Sequence, residues 1–193
     1  TLLPLYALLA RRGAAVLSIA AGKTTVSLNR GLGGRAAVVR AMPNTPASIR
    51  QGISVAYATP PVSAVQRQRC HDLLACVGSV LWVEDESLMD AVTAVSGSGP
   101  AYVFLLAECL ARAGEEVGLP GETAAQLARE TVAGAGALLA RSPLPVEVLR
   151  ATVTSPGGTT AAALSILMAE GGLQPILTRA VAAATKRAGE LAG

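Results

Sequence analysis

"SVLWVEDESLMDAVTAV", residues 79–95, changes character halfway along. Its first five residues, a serine and four apolar residues, are suited to a strand, and an acidic cluster closes the run. From Glu86 the spacing turns helical, with Glu86 placed where an acid favours the first turn of a helix. From about Glu84 onward no convincing strand recurs. The stretch therefore divides the chain into an α/β part, residues 1–84, and an all-α part, residues 85–193.

Toward the N-terminus, "AAVLSIAAG" (14–22), "AAVVRAMPN" (36–44) and "ISVAYATP" (53–60) read as further strands ending in small residues or turns. Between them, "KTTVSLNRGLGG" (23–34) and "PVSAVQRQRCHDLLACVG" (61–78) read as helical, with Pro61 suited to a first helical turn. Such alternation predicts an α/β sheet. "GLGG" (31–34) follows a polar helical stretch and precedes a strand, so it reads as a helix exit and not as a phosphate-binding turn. The sequence contains no GxGxxG turn, and "LLPLYALLARR" (2–12) reads as a helix.

Toward the C-terminus, "SGSGP" (96–100) is expected to break one helix, and Pro100 to start the next, "AYVFLLAECLARAGEEV" (101–117). Gly118 and Pro120 stop it. Helices are expected at "ETAAQLARETVAGAGALLAR" (122–141), "PVEVLRA" (145–151), "TTAAALSILMAE" (159–170) and "LQPILTRAVAAATKRAGELA" (173–192). Apolar residues surround much of each helix, which predicts burial on several sides and an intertwined dimer.

Composition narrows the function. Hydrophobic residues make up 51% of the 193 and charged residues 15%. The longest uncharged stretches, 91–107 and 151–169, are interrupted by SGSGP and SPGG, so no membrane partner is expected. The arginines of the opening stretch follow its apolar run, the reverse of a signal peptide. Net charge is +3, basic residues are scattered and aromatics reach only 3%, so no nucleic-acid partner is expected. Three cysteines (Cys70, Cys76, Cys109) and a single histidine, His71, predict neither a metal site nor a disulfide scaffold, and suit a reducing cytoplasm. Cys70 and Cys76 are expected as packing residues and His71 as a surface side chain beside Asp72.

Three blocks carry chemistry together: "RAMPNTPASIRQG" (40–52), "DAVTAVSGSGPAYVF" (90–104) and "VTSPGGTTAAAL" (153–164). The last spends two glycines and three hydroxyls on starting one helix, more than a cap needs. In this order and spacing the blocks resemble pyrroline-5-carboxylate reductase, and the similarity runs essentially from residue 1 to 193. The resemblance implies a partial Rossmann-like α/β domain followed by an all-α dimerisation domain. It also implies that about 80 residues, the half of the nucleotide-binding fold with the GxGxxG turn, would precede Thr1.

The implied reaction is reduction of 1-pyrroline-5-carboxylate, a cyclic imino acid, to L-proline with NADPH or NADH. The resemblance implies that Gly158, Thr159 and Thr160 offer backbone amides to the substrate carboxylate, with Ser155 closing the turn. It implies Thr160 as the catalytic residue, its hydroxyl near the ring nitrogen, and Glu86 facing the substrate amine. It places Ala21 and Gly22, with Met42, Pro43 and Asn44, beside the cofactor. Gly97, Ser98 and Gly99 read equally as packing residues or ligands. The sequence departs from the family at Ala151, where an acid is common, and at "RSPLPVEV" (141–148). Two other readings compete. One is a non-catalytic helical dimerisation module. The other is a hydroxyacid dehydrogenase, which would want a basic catalytic residue near "SGSGPAYVFLLAE", where there is no lysine.

Overall fold

Four strands form at the stretches read as strands: β1 Ala15–Ser18, β2 Ala37–Met42, β3 Gly52–Ala58 and β4 Gly78–Val83. The computed structural model describes residue 5, residues 8–10 and residues 12–192, so most of the expected opening helix lies outside the described residues. The strands make one sheet in the order β1-β2-β3-β4. β1 pairs parallel with β2, β2 antiparallel with β3, and β3 parallel with β4. The antiparallel step follows from the short connection after β2, a 3-10 turn over Thr45–Ile49. A parallel crossover needs a dozen or more residues, and none is available there.

Helix α1, Thr25–Gly31, connects β1 to β2, and α2, Ala64–Ala75, connects β3 to β4. β2 alternates between two cores because successive side chains leave opposite faces of a strand. Val39 and Ala41 join Ala56, Cys70 and Leu74 on the α2 side, while Val38 packs with Leu32 and Ala36 on the α1 side. Arg40 shares the parity of Val38 and is 5% exposed. Thr24 caps α1, and Ser63 with Gln66 forms a capping box at the start of α2. The box displaces the expected helix start at Pro61, which sits in the preceding turn. "GLGG" does end a helix, with Gly33 and Gly34 at φ +92° and +89°. Cys70 is buried, and burial pushes its thiol pKa up. Cys76 is exposed instead of packed. His71 accepts a hydrogen bond at Nδ1 from Trp82 Nε1, 3.3 Å away.

Asp85 begins the helical part by accepting the Ser87 amide at 2.8 Å, and hydrogen bonds from the Ser87 side chain and then its backbone hold the Asp85 carboxyl below the usual range. A 3-10 turn (Glu86–Leu88) leads into α3, Met89–Val92, and a π turn over Thr93–Gly97. α4, Gly99–Glu116, follows at once. The expected break at SGSGP is thus a widened turn, closed by Ser98 N–H donating to the Thr93 carbonyl at 2.8 Å. Pro100 is tolerated because a first-turn residue needs no amide. Among the described residues one helical run, Glu86–Glu116, is long and apolar enough to cross a membrane by length and composition. The SGSGP interruption invoked against a span is therefore not one.

The remaining helices are α5 Gly121–Arg141, α6 Val146–Thr152, α7 Thr159–Leu167 and α8 Leu173–Ala192. Two compact units result: Thr1–Pro100 with Val181–Gly193, and Ala101–Ala180. The first turns after Glu86 belong with the sheet, since Met89 and Ala94 are fully buried and Arg40 pairs with Asp90. The end of α8 joins them there: a Cβ on Gly189 would lie 3.4 Å from Asp90 Oδ2. In the second unit α4 and α5 approach closely at Gly114, where a Cβ would sit 3.2 Å from that of Ala124. Beside this contact Val103, Phe104 and Ala107 line a groove of about 910 Å³ with Ala125, Arg129 and Val132.

Candidate active site

Register brings the first set of candidate residues together. Ser18 pairs with Arg40, so the parallel strands β1 and β2 end side by side, and residues 19–22 emerge next to 42–44. Ligands of open α/β sheets bind beyond such strand ends. Gly22 turns the first segment at φ +66°, a conformation that favours glycine, and a Cβ there would lie 3.0 Å from the Leu191 carbonyl oxygen. The second segment offers the half-buried, apolar Met42 and Pro43. A bare glycine turn and an apolar pair at adjacent strand ends are suited to a flat aromatic ring. Asn44 is committed in part to the fold, because its Oδ1 accepts the Ile53 amide at 2.9 Å and closes the loop.

Met42 has its own support. A Cβ on Gly97 would sit 2.6 Å from Met42 Cε, so the missing side chain in the π turn makes room for the thioether. Gly97 is therefore a packing residue against a candidate site residue, while around Gly99 there is open space.

Glu86 is held by the sheet unit. Its carboxylate accepts the Thr25 amide at 2.7 Å and the Thr25 hydroxyl, and pairs with Arg40 Nη1 at 3.1 Å. Arg40 also reaches Asp90 Oδ1, 3.7 Å from its Nη2. Donors from α1 and β2 thus already occupy the carboxylate. Arg40 and Thr25 were not among the residues expected from sequence. The available signal was one charge inside the apolar strand "AAVVRAMPN", since buried arginine requires a partner.

The second set of residues lies at the start of α7. Gly157 has φ +70° and Gly158 is the N-cap. A Cβ on Gly158 would collide with Ser155 Oγ and sit 3.2 Å from the Ser155 carbonyl oxygen, so Ser155 packs closely over this glycine. Gly158 N–H donates to the Ser155 carbonyl at 3.1 Å, and the Gly158 carbonyl accepts from Ala162. The amides of Thr159, Thr160 and Ala161 precede the first intrahelical bond and point outward at the positive end of the helix. No side chain caps them. Thr160 is half-buried and Thr159 exposed. The turn thus holds several donors ready for one small anion.

Comparison with known proteins supplies the chemical context. Residues 86–191 match the family model for pyrroline-5-carboxylate reductase dimerisation. A pyrroline-5-carboxylate reductase of Pseudomonas aeruginosa is 48% identical over 177 residues, covering 92% of this chain and 64% of the relative. The chain thus spans slightly under two thirds of the length of that relative. A solved pyrroline-5-carboxylate reductase from Coxiella burnetii superposes with a TM-score of 0.92 at 40% identity, over 99% of this chain and 70% of that one. A Plasmodium falciparum pyrroline carboxylate reductase, solved with NADP bound, has a TM-score of 0.81 at 30% identity, over 94% of this chain and 71% of that one. Both the helical match and the superposition that takes in the sheet lead to one conclusion: the chain belongs to the pyrroline-5-carboxylate reductase family.

Proposed function

We propose that the protein reduces 1-pyrroline-5-carboxylate to L-proline with NADPH or NADH in the cytoplasm, as the final step of proline biosynthesis. The observation that carries this reading is the α7 entrance, where outward amides and two threonine hydroxyls meet beside a glycine turn. Family membership makes an imino-acid carboxylate the natural occupant. The nicotinamide cofactor supplies the hydride that reaches the C=N carbon.

The chain's own residues bind, orient and manage one proton. The amides of Thr159 and Thr160 hold the carboxylate, with Gly158 allowing close approach and Ser155 fixing the turn. Thr160 Oγ1 holds the ring nitrogen by a hydrogen bond and relays its proton. Ala21 and Gly22 offer bare backbone to the nicotinamide end, and Met42 and Pro43 cover its face and exclude water. Asn44 sets the height of that loop. Glu86, already bonded to Thr25 and Arg40, is given no direct substrate contact in this reading.

The test is loss of NADPH absorbance on adding the imino acid, with the protein carrying the full length of its relatives. No turnover with either cofactor would overturn the proposal. A variant follows from the packing of Met42. Gly97→Ala should displace the Met42 tip, raise the KM for cofactor several-fold and leave Tm nearly unchanged, because a flexible methionine end yields cheaply. An unchanged KM would remove Met42 from the site.

We propose further that the protein is a homodimer or higher oligomer built through its helical part. Phe104 is 63% exposed and Ile166 73%, and the dimerisation model matches this same region. Such apolar side chains are covered by a partner when a stripe of them is continuous. Sedimentation at micromolar concentration should give a dimer or larger species. A stable, well-folded monomer would contradict it.

A further inference from the structure

We infer that Arg40 and Glu86 are positioning residues for the cofactor side of the site, setting its affinity for the nicotinamide cofactor and not for the imino acid. The inference rests on the reductase reading above. Its geometry lies within the sheet unit. Register pairing between β1 and β2 ends at Ser18 and Arg40. Beyond that point the two candidate cofactor segments need another tie. Thr25 lies three residues after Gly22, and Arg40 two residues before Met42. Glu86 accepts from both, through the Thr25 amide and hydroxyl and through Arg40 Nη1. One carboxylate therefore fixes the α1 entrance against the β2 end.

Stability alone is a poor reason for this pair. The Arg40 side chain is 6% exposed and that of Glu86 20%. Desolvation offsets much of the attraction in such pairs, and apolar replacements of both partners are often neutral or stabilising. What a buried, hydrogen-bonded pair adds is a fixed geometry, and here it is fixed next to the segments that meet the nicotinamide. Asp90 gives Arg40 a second carboxylate neighbour, 3.7 Å from Nη2.

The experiment uses the protein at the length of its relatives, with Glu86→Gln, Arg40→Met and the double variant. Steady-state kinetics are measured for both substrates, below the onset of melting. Each single variant should raise the KM for cofactor about ten-fold, less than the ~100-fold that a 1 Å misplacement can cost. The KM for the imino acid should stay within about two-fold. The double variant should be milder than the sum of the singles, because Arg40 and Glu86 go together and only the partly exposed Asp90 loses its partner. A raised KM for the imino acid with an unchanged cofactor KM would overturn the inference and restore Glu86 to the substrate side. Losses that follow only the fraction of folded protein would overturn it too. Glu86→Gln keeps size and hydrogen-bond acceptor, so it remains readable if Arg40→Met does not fold. A wild type that binds NADPH without turning over sinks the reductase reading alone. In that case NADPH titration decides: a Kd about ten-fold weaker in Glu86→Gln supports the inference, and an equal Kd overturns it. A wild type that binds neither NADPH nor NADH overturns both.

Discussion

Thr160→Ala is expected to lower kcat/KM for the imino acid by about 100-fold, the scale of a lost proton-handling or orienting group. Little stability should go with it. The N-cap of α7 is Gly158, and no side-chain cap holds the first turn, so Thr160 does not cap this helix. A capping threonine would instead contribute about 1 kcal/mol of stability and nothing to turnover. Thr160→Val keeps the branched shape and removes only the hydroxyl, and it should match the alanine variant in rate. Ser155→Ala should be milder. Its hydroxyl packs over Gly158, and the carbonyl that accepts Gly158 N–H is retained. The measurement is kcat/KM beside Tm for each variant of the full-length protein. Unchanged kinetics with a lowered Tm for Thr160→Ala would make this entrance a plain structural turn.

The fold was legible wherever it depends on local periodicity. β2 alternates between two apolar cores just as Val38 and Val39 suggest, and GLGG leaves a helix through left-handed glycines. The helical second half likewise follows from spacing and from its Gly and Pro stops. What escaped was the outcome of tertiary competition. SGSGP does separate α3 from α4, but through a π turn and a single bend at Ser98 instead of a loop. Its glycine leaves room for Met42, distant in sequence, which no local pattern reports. Arg40 advertised a partner by its place in an apolar strand, but Glu86 lies 46 residues away and only the folded chain joins them. Glu86 faces the substrate amine only by resemblance, and its bonds to Thr25 and Arg40 join residues far apart in sequence. Asn44 was grouped with the cofactor residues, while half of its side chain closes a loop.

Gly78→Ala is expected to be the most damaging single methyl group in the sheet. Gly78 opens β4 opposite Gly52 in the parallel register, with φ +147°. A Cβ there would overlap the Gly52 carbonyl, and Gly52 cannot retreat, because its own Cβ position is 2.9 Å from the Ala47 backbone. The contact is backbone on backbone, so no side-chain rotation relieves it. Backbone strain of this kind costs about 1–3 kcal/mol, and with the overlap added the loss should reach about 3–5 kcal/mol. That is a large share of the roughly 5–15 kcal/mol that domains possess. Gly33→Ala is the matched control: φ is +92°, but nothing lies within 4 Å of the new methyl. It should cost about 1 kcal/mol, from strain alone. Urea and thermal melts of the two variants check this, and equal losses would mean that β3 and β4 can separate at little cost. The consequence reaches the site, since β4 ends at Val83, three residues before Glu86. A partly folded Gly78→Ala protein should therefore lose the Glu86–Arg40 tie along with the strand pairing, and bind cofactor weakly even where its helical part stays intact.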